Sequence, residues 1–169
     1  MGYRCATCGA WHAERPTAFL AEMPAVARRV PAEEFEGRVE LSSDQCIVDG
    51  KHFFILGNLD LRVNGSGETI RWTVWSSLSE VSFSRACDLW DQAGRESEPP
   101  YFGWLSTFIP GYEDPKGVGL AVHTEPVGSR PRLEVLEGPH RVFAEQRNGI
   151  TPQRADELIH VACFGSDPT

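Results

Sequence analysis

The stretch that decides the fold runs from Glu68 to Ser82 and reads Glu-Thr-Ile-Arg-Trp-Thr-Val-Trp-Ser-Ser-Leu-Ser-Glu-Val-Ser. Its apolar residues recur at every second position from Ile70 to Val74, which is the period of a β-strand. Trp72 and Trp75 fall on opposite faces of this strand. The pattern therefore predicts an interior strand that is covered on both faces.

A helix is predicted directly after this strand. Ser79 suits the N-cap position, and Glu80 suits the first turn of a helix. The apolar face of the helix would carry Phe83, Ala86, Cys87 and Trp90. Gly94 predicts its end.

Two turns precede the central strand. Asp49-Gly50 is typical of a type I′ turn, because both residues tolerate positive φ angles, and it predicts a hairpin between residues 44 and 56. Gly57 suggests a β-bulge in the second strand of that hairpin. Asn64-Gly65-Ser66-Gly67 predicts the next turn. The result is a three-stranded antiparallel meander.

The remaining elements extend this unit. Pro24 and Pro31 predict the starts of short helices between residues 17 and 37. Residues 118–125 and 132–136 are strand candidates, and Thr151-Pro152 predicts a helix whose apolar face carries Ala155, Leu158, Ile159 and Ala162. We expect an α+β fold, with a mostly antiparallel sheet and packed helices. Residues 1–169 would form one domain, with an amino-terminal appendage (1–14) and an α+β core (40–163).

Composition limits the function. The formal net charge of −8 opposes loose association with phosphate backbones, so a nucleic acid is a poor candidate for the partner. The chain has no apolar run of about 18 residues and no basic segment followed by an apolar one, which predicts a cytoplasmic protein without a membrane partner. Five cysteines without a secretion signal favour reduced thiols or metal ligands.

A metal site is predicted near the amino terminus. Cys5-Ala-Thr-Cys8-Gly9 can present two thiolates on one tight turn, in the manner of a zinc knuckle, and His12 follows four residues later. Cys46, at the start of the first meander strand, is our candidate for the fourth ligand, with His52 in reserve. Redox exchange and unliganded thiols are the alternatives to a structural zinc site.

Several segments together resemble a bacterial domain-of-unknown-function family, the one numbered 2199. These segments are Cys5–Gly9 with His12, Leu41–Cys46, Trp75–Ser79, Tyr101–Ser106 and Glu145–Thr151. They follow one another in order over nearly the whole chain. The resemblance implies a bacterial protein, and it transfers no reaction because that family has no established activity.

The segment from Tyr101 to Tyr112 is rich in aromatic residues and predicts a long, ordered loop. We favour the interpretation that it covers the core, with Trp104 as a large buried side chain. The alternative is a binding surface in which Tyr101, Phe102, Trp104 and Tyr112 serve as anchors.

The chain lacks the sequence motifs of serine hydrolases, phosphate-binding loops, zinc proteases and dinucleotide-binding folds. We therefore expect a non-enzymatic binding or adaptor module that zinc stabilises. An unidentified protein partner, or a second copy of the chain in a homodimer, fits this hypothesis. The alternative is a small enzyme that uses His123 and a carboxylate in a pocket under the aromatic loop 101–112.

Overall fold

The computed structural model describes residues 2–165. The strands are β1 (Tyr3–Arg4), β2 (Trp11–His12), β3 (Ala18–Leu20), β4 (Val39–Leu41), β5 (Gln45–Val48), β6 (His52–Arg62), β7 (Thr69–Leu78), β8 (Tyr101–Trp104), β9 (Gly119–His123) and β10 (Arg132–Val135). The helices are α1 (Ala25–Arg28), α2 (Ala32–Arg38), α3 (Glu80–Asp88), α4 (Arg141–Asn148) and α5 (Pro152–Phe164), with a short 3₁₀ helix at Arg95–Ser97. The predicted α+β class is confirmed.

The main sheet has eight strands and is mixed, which corrects the expectation of a mostly antiparallel sheet. Its order is β3-β7-β6-β10-β9-β8, with β5 also paired to β6 and β4 to β5. The pairs β3–β7 and β6–β10 are parallel. The meander forms through short hairpins, which force neighbouring strands to be antiparallel. In contrast, β3 and β10 reach the meander through longer connections, which leave the strand direction free.

The centre of the sheet is the hairpin of β6 and β7. The two strands pair from Phe53 opposite Leu78 to Arg62 opposite Thr69. The turn that begins β6 is confirmed as well, since Asp49 and Gly50 both have positive φ angles, 54° and 65°. The predicted three-stranded meander of β5, β6 and β7 is therefore correct.

Gly57 does not form the predicted bulge. It lies opposite Val74 in regular register, so β6 continues through it without interruption. A Cβ atom at this position would lie 2.8 Å from the Leu133 side chain and 2.9 Å from the carbonyl oxygen of Pro131. The glycine is thus explained by the close approach of β10 to β6, a tertiary contact that gives no local signal.

Trp72 and Trp75 are buried on opposite faces of β7, as predicted, with 2% and 1% of their surface exposed. Trp72 belongs to the inner cluster, which contains Leu59, Leu61, Leu120, Leu133, Leu158 and Ile159. Trp75 belongs to the outer cluster, which consists of Ala27, Val39, Cys46, Val48, Phe54, Leu56 and Trp75. The central strand therefore separates two apolar layers.

The sheet curls until β8 reaches the far side of β7. Ser76 and Leu105 form an isolated antiparallel bridge, and the amide of Ser106 donates to the carbonyl of Trp75 at 2.8 Å. Residues 101–104 are thus a strand, where the sequence predicted a loop. Gly103 allows this approach, because a Cβ atom there would lie 2.1 Å from the carbonyl oxygen of Ser77.

The helices begin mostly where capping residues predict. Ser79 accepts a hydrogen bond from the amide of Ser82 at the start of α3, and Thr151 accepts one from Arg154 at the start of α5. Pro24 and Pro31 precede α1 and α2. However, α3 ends at Asp88, before Gly94, and α4 was not predicted. Among residues 2–165, no helix combines the length and apolarity that a membrane span requires.

Gly57→Ala should destabilise the protein by about 1 to 3 kcal/mol, because the added methyl group would push β10 away from β6. Gly37→Ala is the matched control. Gly37 lies in α2, and apart from its chain neighbours and the backbone of its own helix, no atom lies within 4 Å of the position that an added methyl group would take. Alanine should therefore stabilise the helix there by about 0.5 to 1 kcal/mol. Urea unfolding measures both changes, and equal stabilities of the two variants would contradict this account of Gly57.

Candidate metal centre

The amino-terminal segment forms a small hairpin that carries three of the predicted ligands. β1 and β2 pair antiparallel, with Tyr3 opposite His12, so that His12 lies beside the start of the turn. Within the turn, the amide of Gly9 donates to the carbonyl of Cys5 at 2.8 Å, and the amide of Cys5 donates to the carbonyl of Ala10 at 2.9 Å. Gly9 has a φ of 73°, which a side chain disfavours.

The Cys5 thiol lies in an environment that stabilises its anionic form. Burial raises the pKa of this thiol, but hydrogen bonds from the backbone of Cys8 and Thr7 and from the side chains of Cys8 and His160 outweigh that effect. The net result lowers the pKa of Cys5 to about 7. Backbone amides that point at a sulfur atom are the arrangement that a zinc knuckle uses to support its thiolates.

A second histidine completes the group. His160 lies on α5 and is buried, and its Nδ1 atom is 3.6 Å from Cys5 Sγ. On the other side of the turn, His12 Nε2 is 3.3 Å from Cys8 Sγ. The ligand atoms of Cys5, Cys8, His12 and His160 all lie within 4.8 Å of one another. The structure thus brings together two thiols and two imidazoles from opposite ends of the chain.

These distances fit a tetrahedral metal ion. Zn–S bonds of about 2.3 Å and Zn–N bonds of about 2.0 to 2.1 Å at tetrahedral angles place sulfur and nitrogen about 3.6 Å apart. The two sulfur–nitrogen distances, 3.3 Å and 3.6 Å, agree with that value. The four residues could therefore hold one metal ion with little rearrangement.

Aromatic and ionic contacts surround the four candidate ligands and the segments that carry them. The ring of Phe164 stacks on His12 at 4.5 Å between centroids and lies 5.3 Å from the ring of His160. Arg15 forms ion pairs with Asp156 on α5 and with Glu68, and its guanidinium lies over the Tyr3 ring. Contacts of this kind orient metal ligands before the metal binds.

The structure does not bring the fourth ligand predicted from the sequence to this group. Cys46 does not belong to the group. It lies on β5 with no exposed surface, inside the outer cluster, and burial raises the pKa of its thiol to about 11. A thiol in such an apolar site is a packing residue. The reserve ligand, His52, is exposed at the start of β6 and is not part of the group either.

The sequence contains a signal that His160 is buried, namely its position in the apolar pattern of α5. It follows Ile159 directly and lies within the buried part of α5, which also contains Ala155 and Leu158. A buried histidine on an apolar helix face needs a polar partner. The sequence could not indicate which partner, because Cys5 is 155 residues away.

The four predicted anchors of the aromatic segment differ in their exposure to solvent. Phe102 and Trp104 are 52% and 50% exposed and meet edge to face at 4.8 Å, which corrects the expectation that Trp104 is a buried core residue. In contrast, Tyr101 and Tyr112 are partly buried, and their hydroxyl groups donate to Glu98 and Glu145. Of the four predicted anchors, only Phe102 and Trp104 are presented to solvent.

Phe102 and Trp104 border a groove of about 580 Å³, which we call the aromatic groove. Its other walls include Lys51, His52, Ser82 and Gly103. The groove is open to solvent and lies where β8 approaches the end of β7. It offers a mixed aromatic and polar surface.

The candidate acid and base pair lies elsewhere. His123 Nε2 is 3.0 Å from Glu134 Oε1, but both side chains lie on the outer face of the β9–β10 hairpin, where half of the Glu134 side chain is exposed. Leu120, Val122 and Leu133 occupy the opposite, buried face. The pair is therefore a surface contact and does not lie in a pocket under residues 101–112.

A family model with the description "Uncharacterized protein conserved in bacteria (DUF2199)" matches residues 4–150, and the chain belongs to that family. The resemblance seen in the sequence is thereby confirmed. Searches of curated proteins and of solved structures returned no match. The match ends before α5, so His160 lies outside the matched region.

The ligand set predicts how variants will bind a metal probe. Co²⁺ added to metal-free protein should bind at about one ion per chain and give thiolate charge-transfer absorption. His160→Ala should weaken Co²⁺ binding by about 100-fold or more, because it removes a direct ligand. Cys46→Ala is the control and should leave the affinity and the spectrum unchanged. If Cys46→Ala abolished the charge-transfer bands and His160→Ala did not, the assignment of the fourth ligand would be wrong.

Proposed function

Starting from membership of that bacterial family, we propose that the chain is a non-enzymatic binding module of the bacterial cytoplasm whose amino-terminal turn is held by one structural zinc ion. The observation that carries this proposal is the group of two thiols and two imidazoles whose ligand atoms lie within 4.8 Å of one another. The proposal has two parts, the zinc ion and the binding surface.

The donor set favours zinc as the metal. Two thiolates with two imidazoles are a common ligand set of structural zinc sites, whereas magnesium and calcium prefer oxygen ligands. Four protein ligands fill a tetrahedral shell and leave no position for a substrate or an activated water molecule. Zinc bound in this way serves stability, and this supports a structural role over a catalytic one.

The zinc ion would join the two ends of the chain. Cys5, Cys8 and His12 belong to the β1–β2 hairpin, whereas His160 belongs to α5, which packs on the inner cluster. The β1–β2 pairing is only two residues long and forms its own small sheet. Such a hairpin is too short to be stable alone. Metal binding would therefore supply the cross-link that keeps residues 2–14 on the α+β core.

The aromatic groove is the proposed surface for a protein partner. Phe102 and Trp104 present two adjacent aromatic side chains, which is unusual on a surface and typical of the anchors in protein interfaces. Lys51, His52 and Ser82 supply polar groups at the edge of the groove. An apolar centre with a polar rim is the common composition of such interfaces.

Zinc should be present at about one ion per chain in protein purified without chelator. Its removal by EDTA should increase amide hydrogen exchange in residues 3–12 by about tenfold or more and leave β6 and β7 protected, because the central hairpin does not depend on the metal. Elemental analysis and exchange mass spectrometry measure these effects. Global unfolding on chelation would refute the separation of the turn from the core, and an absence of any metal would refute the zinc site.

Trp104→Ala should lower the melting temperature by no more than a few degrees, because half of this side chain is already exposed. Trp75→Ala is the matched comparison, because it removes the same type of side chain from a buried site. This variant should lower the free energy of unfolding by about 3 to 5 kcal/mol. A large loss of stability in Trp104→Ala would mean that this residue supports the core.

A photoreactive amino acid placed at residue 102 in the living bacterium tests the binding role. It should yield a discrete cross-linked protein that disappears when Trp104→Ala is added. The control position is Phe108, which is equally exposed at 52% but lies outside the aromatic groove. Identical cross-linking patterns from positions 102 and 108 would show that the aromatic groove has no specific partner.

A further inference from the structure

A large groove lies where β6 changes its neighbour. β6 pairs with β5 as far as Ile55 opposite Gln45, and it pairs with β10 at Asn58 opposite Arg132. The ends of β5 and β10 separate at this point, and the side chains of Asp44 and Arg130 meet across the gap at 2.7 Å. The groove has a volume of about 830 Å³ and extends from this gap over β7 to β3; we call it the polar groove.

The floor of the polar groove is formed by polar side chains on the outer face of β6 and β7, namely Asn58 and Thr73. The other half of this face carries Leu56 and Trp75 and is covered by the outer cluster. In the groove, Thr73 donates its hydroxyl proton to the Asn58 side-chain oxygen at 2.8 Å. Asn58 lines the groove, and within residues 2–165 its side-chain amide nitrogen has no hydrogen-bond partner, so its N–H groups remain available to a ligand.

Two arginine side chains flank this floor, and acidic partners hold each of them in place. Arg71 donates to both carboxylate oxygens of Asp60, at 2.8 Å and 2.9 Å. Arg130 donates to Asp44 through Nε alone. Across the described part of the chain, each of these ion pairs leaves other guanidinium N–H groups unused. Since the ion pairs fix the side chains, a ligand would lose little entropy in ordering them.

Arg95 adds a buried positive charge to the wall of the groove. It is only 9% exposed, and its hydrogen bonds go to the backbone carbonyls of Trp90, Glu125, Pro126 and Ser129. In the described part of the chain, no carboxylate lies within ion-pair distance of Arg95. Carbonyl dipoles satisfy its donors but do not neutralise its charge. A buried charge also acts through a low dielectric, which extends its influence into the groove.

The charges of the lining favour an anionic ligand. The carboxylates of Asp60 and Asp44 neutralise Arg71 and Arg130, which leaves Arg95 and Asp91 as the lining charges without an ionic partner among residues 2–165. Asp91 is exposed, so water and salt screen it strongly, whereas Arg95 is shielded from solvent. The interior of the groove is therefore more positive than a sum of the formal charges suggests.

From these observations we propose that the polar groove binds a small molecule through an oxyanion, either a phosphate or a carboxylate group. Arg71 and Arg130 would donate to the oxyanion from two sides, and the side-chain amide of Asn58 would donate from the floor. Trp90 lines the same groove, and the Arg95 guanidinium lies over its ring at 5.6 Å from the centroid, so the exposed part of Trp90 would contact the rest of the ligand. The polar and aromatic grooves share no lining residue, so this site is independent of the proposed protein partner.

Titration of isotope-labelled protein with inorganic phosphate, and separately with acetate, tests the site. NMR spectra should show saturable shifts of the Arg71 and Arg130 Nε–H, Asn58 side-chain amide and Trp90 indole signals with at least one of the two probes. The probe that binds more tightly identifies the group. Sodium chloride at matched ionic strength should cause no saturable shift.

Arg71→Ala and Arg130→Ala should each weaken binding of the preferred probe by about tenfold or more, as expected for the loss of a charged hydrogen-bond donor. Arg38→Ala is the matched control. Arg38 is 41% exposed and ion-paired to Asp49, whereas Arg130 is 40% exposed and ion-paired to Asp44. Shifts that stay linear for both probes, or an equal loss in Arg38→Ala, would overturn the proposal.

Discussion

The antiparallel pairing of β6 and β7 is the contact on which the rest of the structure depends. The paired region joins Phe53 through Arg62 to Thr69 through Leu78. Because side chains alternate along a strand, this one hairpin presents Trp72 to the inner cluster and Trp75 to the outer cluster. Both apolar layers, and the helices that cover them, are therefore positioned by the register of a single hairpin.

The strands that pair with this hairpin form the two grooves at which we propose ligand and partner binding. β5 and β10 share one edge of β6, and the gap between them becomes the polar groove. On the other side, β8 reaches the end of β7 through the bridge of Ser76 and Leu105. Phe102 and Trp104 are exposed there, beside the turn between β5 and β6. Glycines at positions 57 and 103 allow both approaches, because a methyl group at either position would collide with the neighbouring strand.

The candidate metal centre depends on the same frame at longer range. α5 packs on the inner cluster through Ala155, Leu158 and Ile159, and this packing holds His160 beside the amino-terminal turn. Arg15 reinforces the arrangement by bridging Asp156 and Glu68. The geometry of the four candidate ligands thus depends on core packing, although three of them belong to a short local hairpin.

The sequence by itself determined the elements that depend on neighbouring residues. The alternation in residues 70–77 located the central strand β7, Asp49-Gly50 located the turn between β5 and β6, and the capping residues Ser79 and Thr151 located two helices. Cys5, Cys8 and His12 were recognisable together for the same reason, since one turn brings them close. Only the tertiary structure decided the parallel pairing of β3 and β10, the exposure of Trp104, and the placement of His160, but not Cys46, beside the amino-terminal turn. Each of these features depends on which distant segments pack together. That choice is set by the total apolar surface that the whole chain buries, and a short sequence pattern contains no information about it.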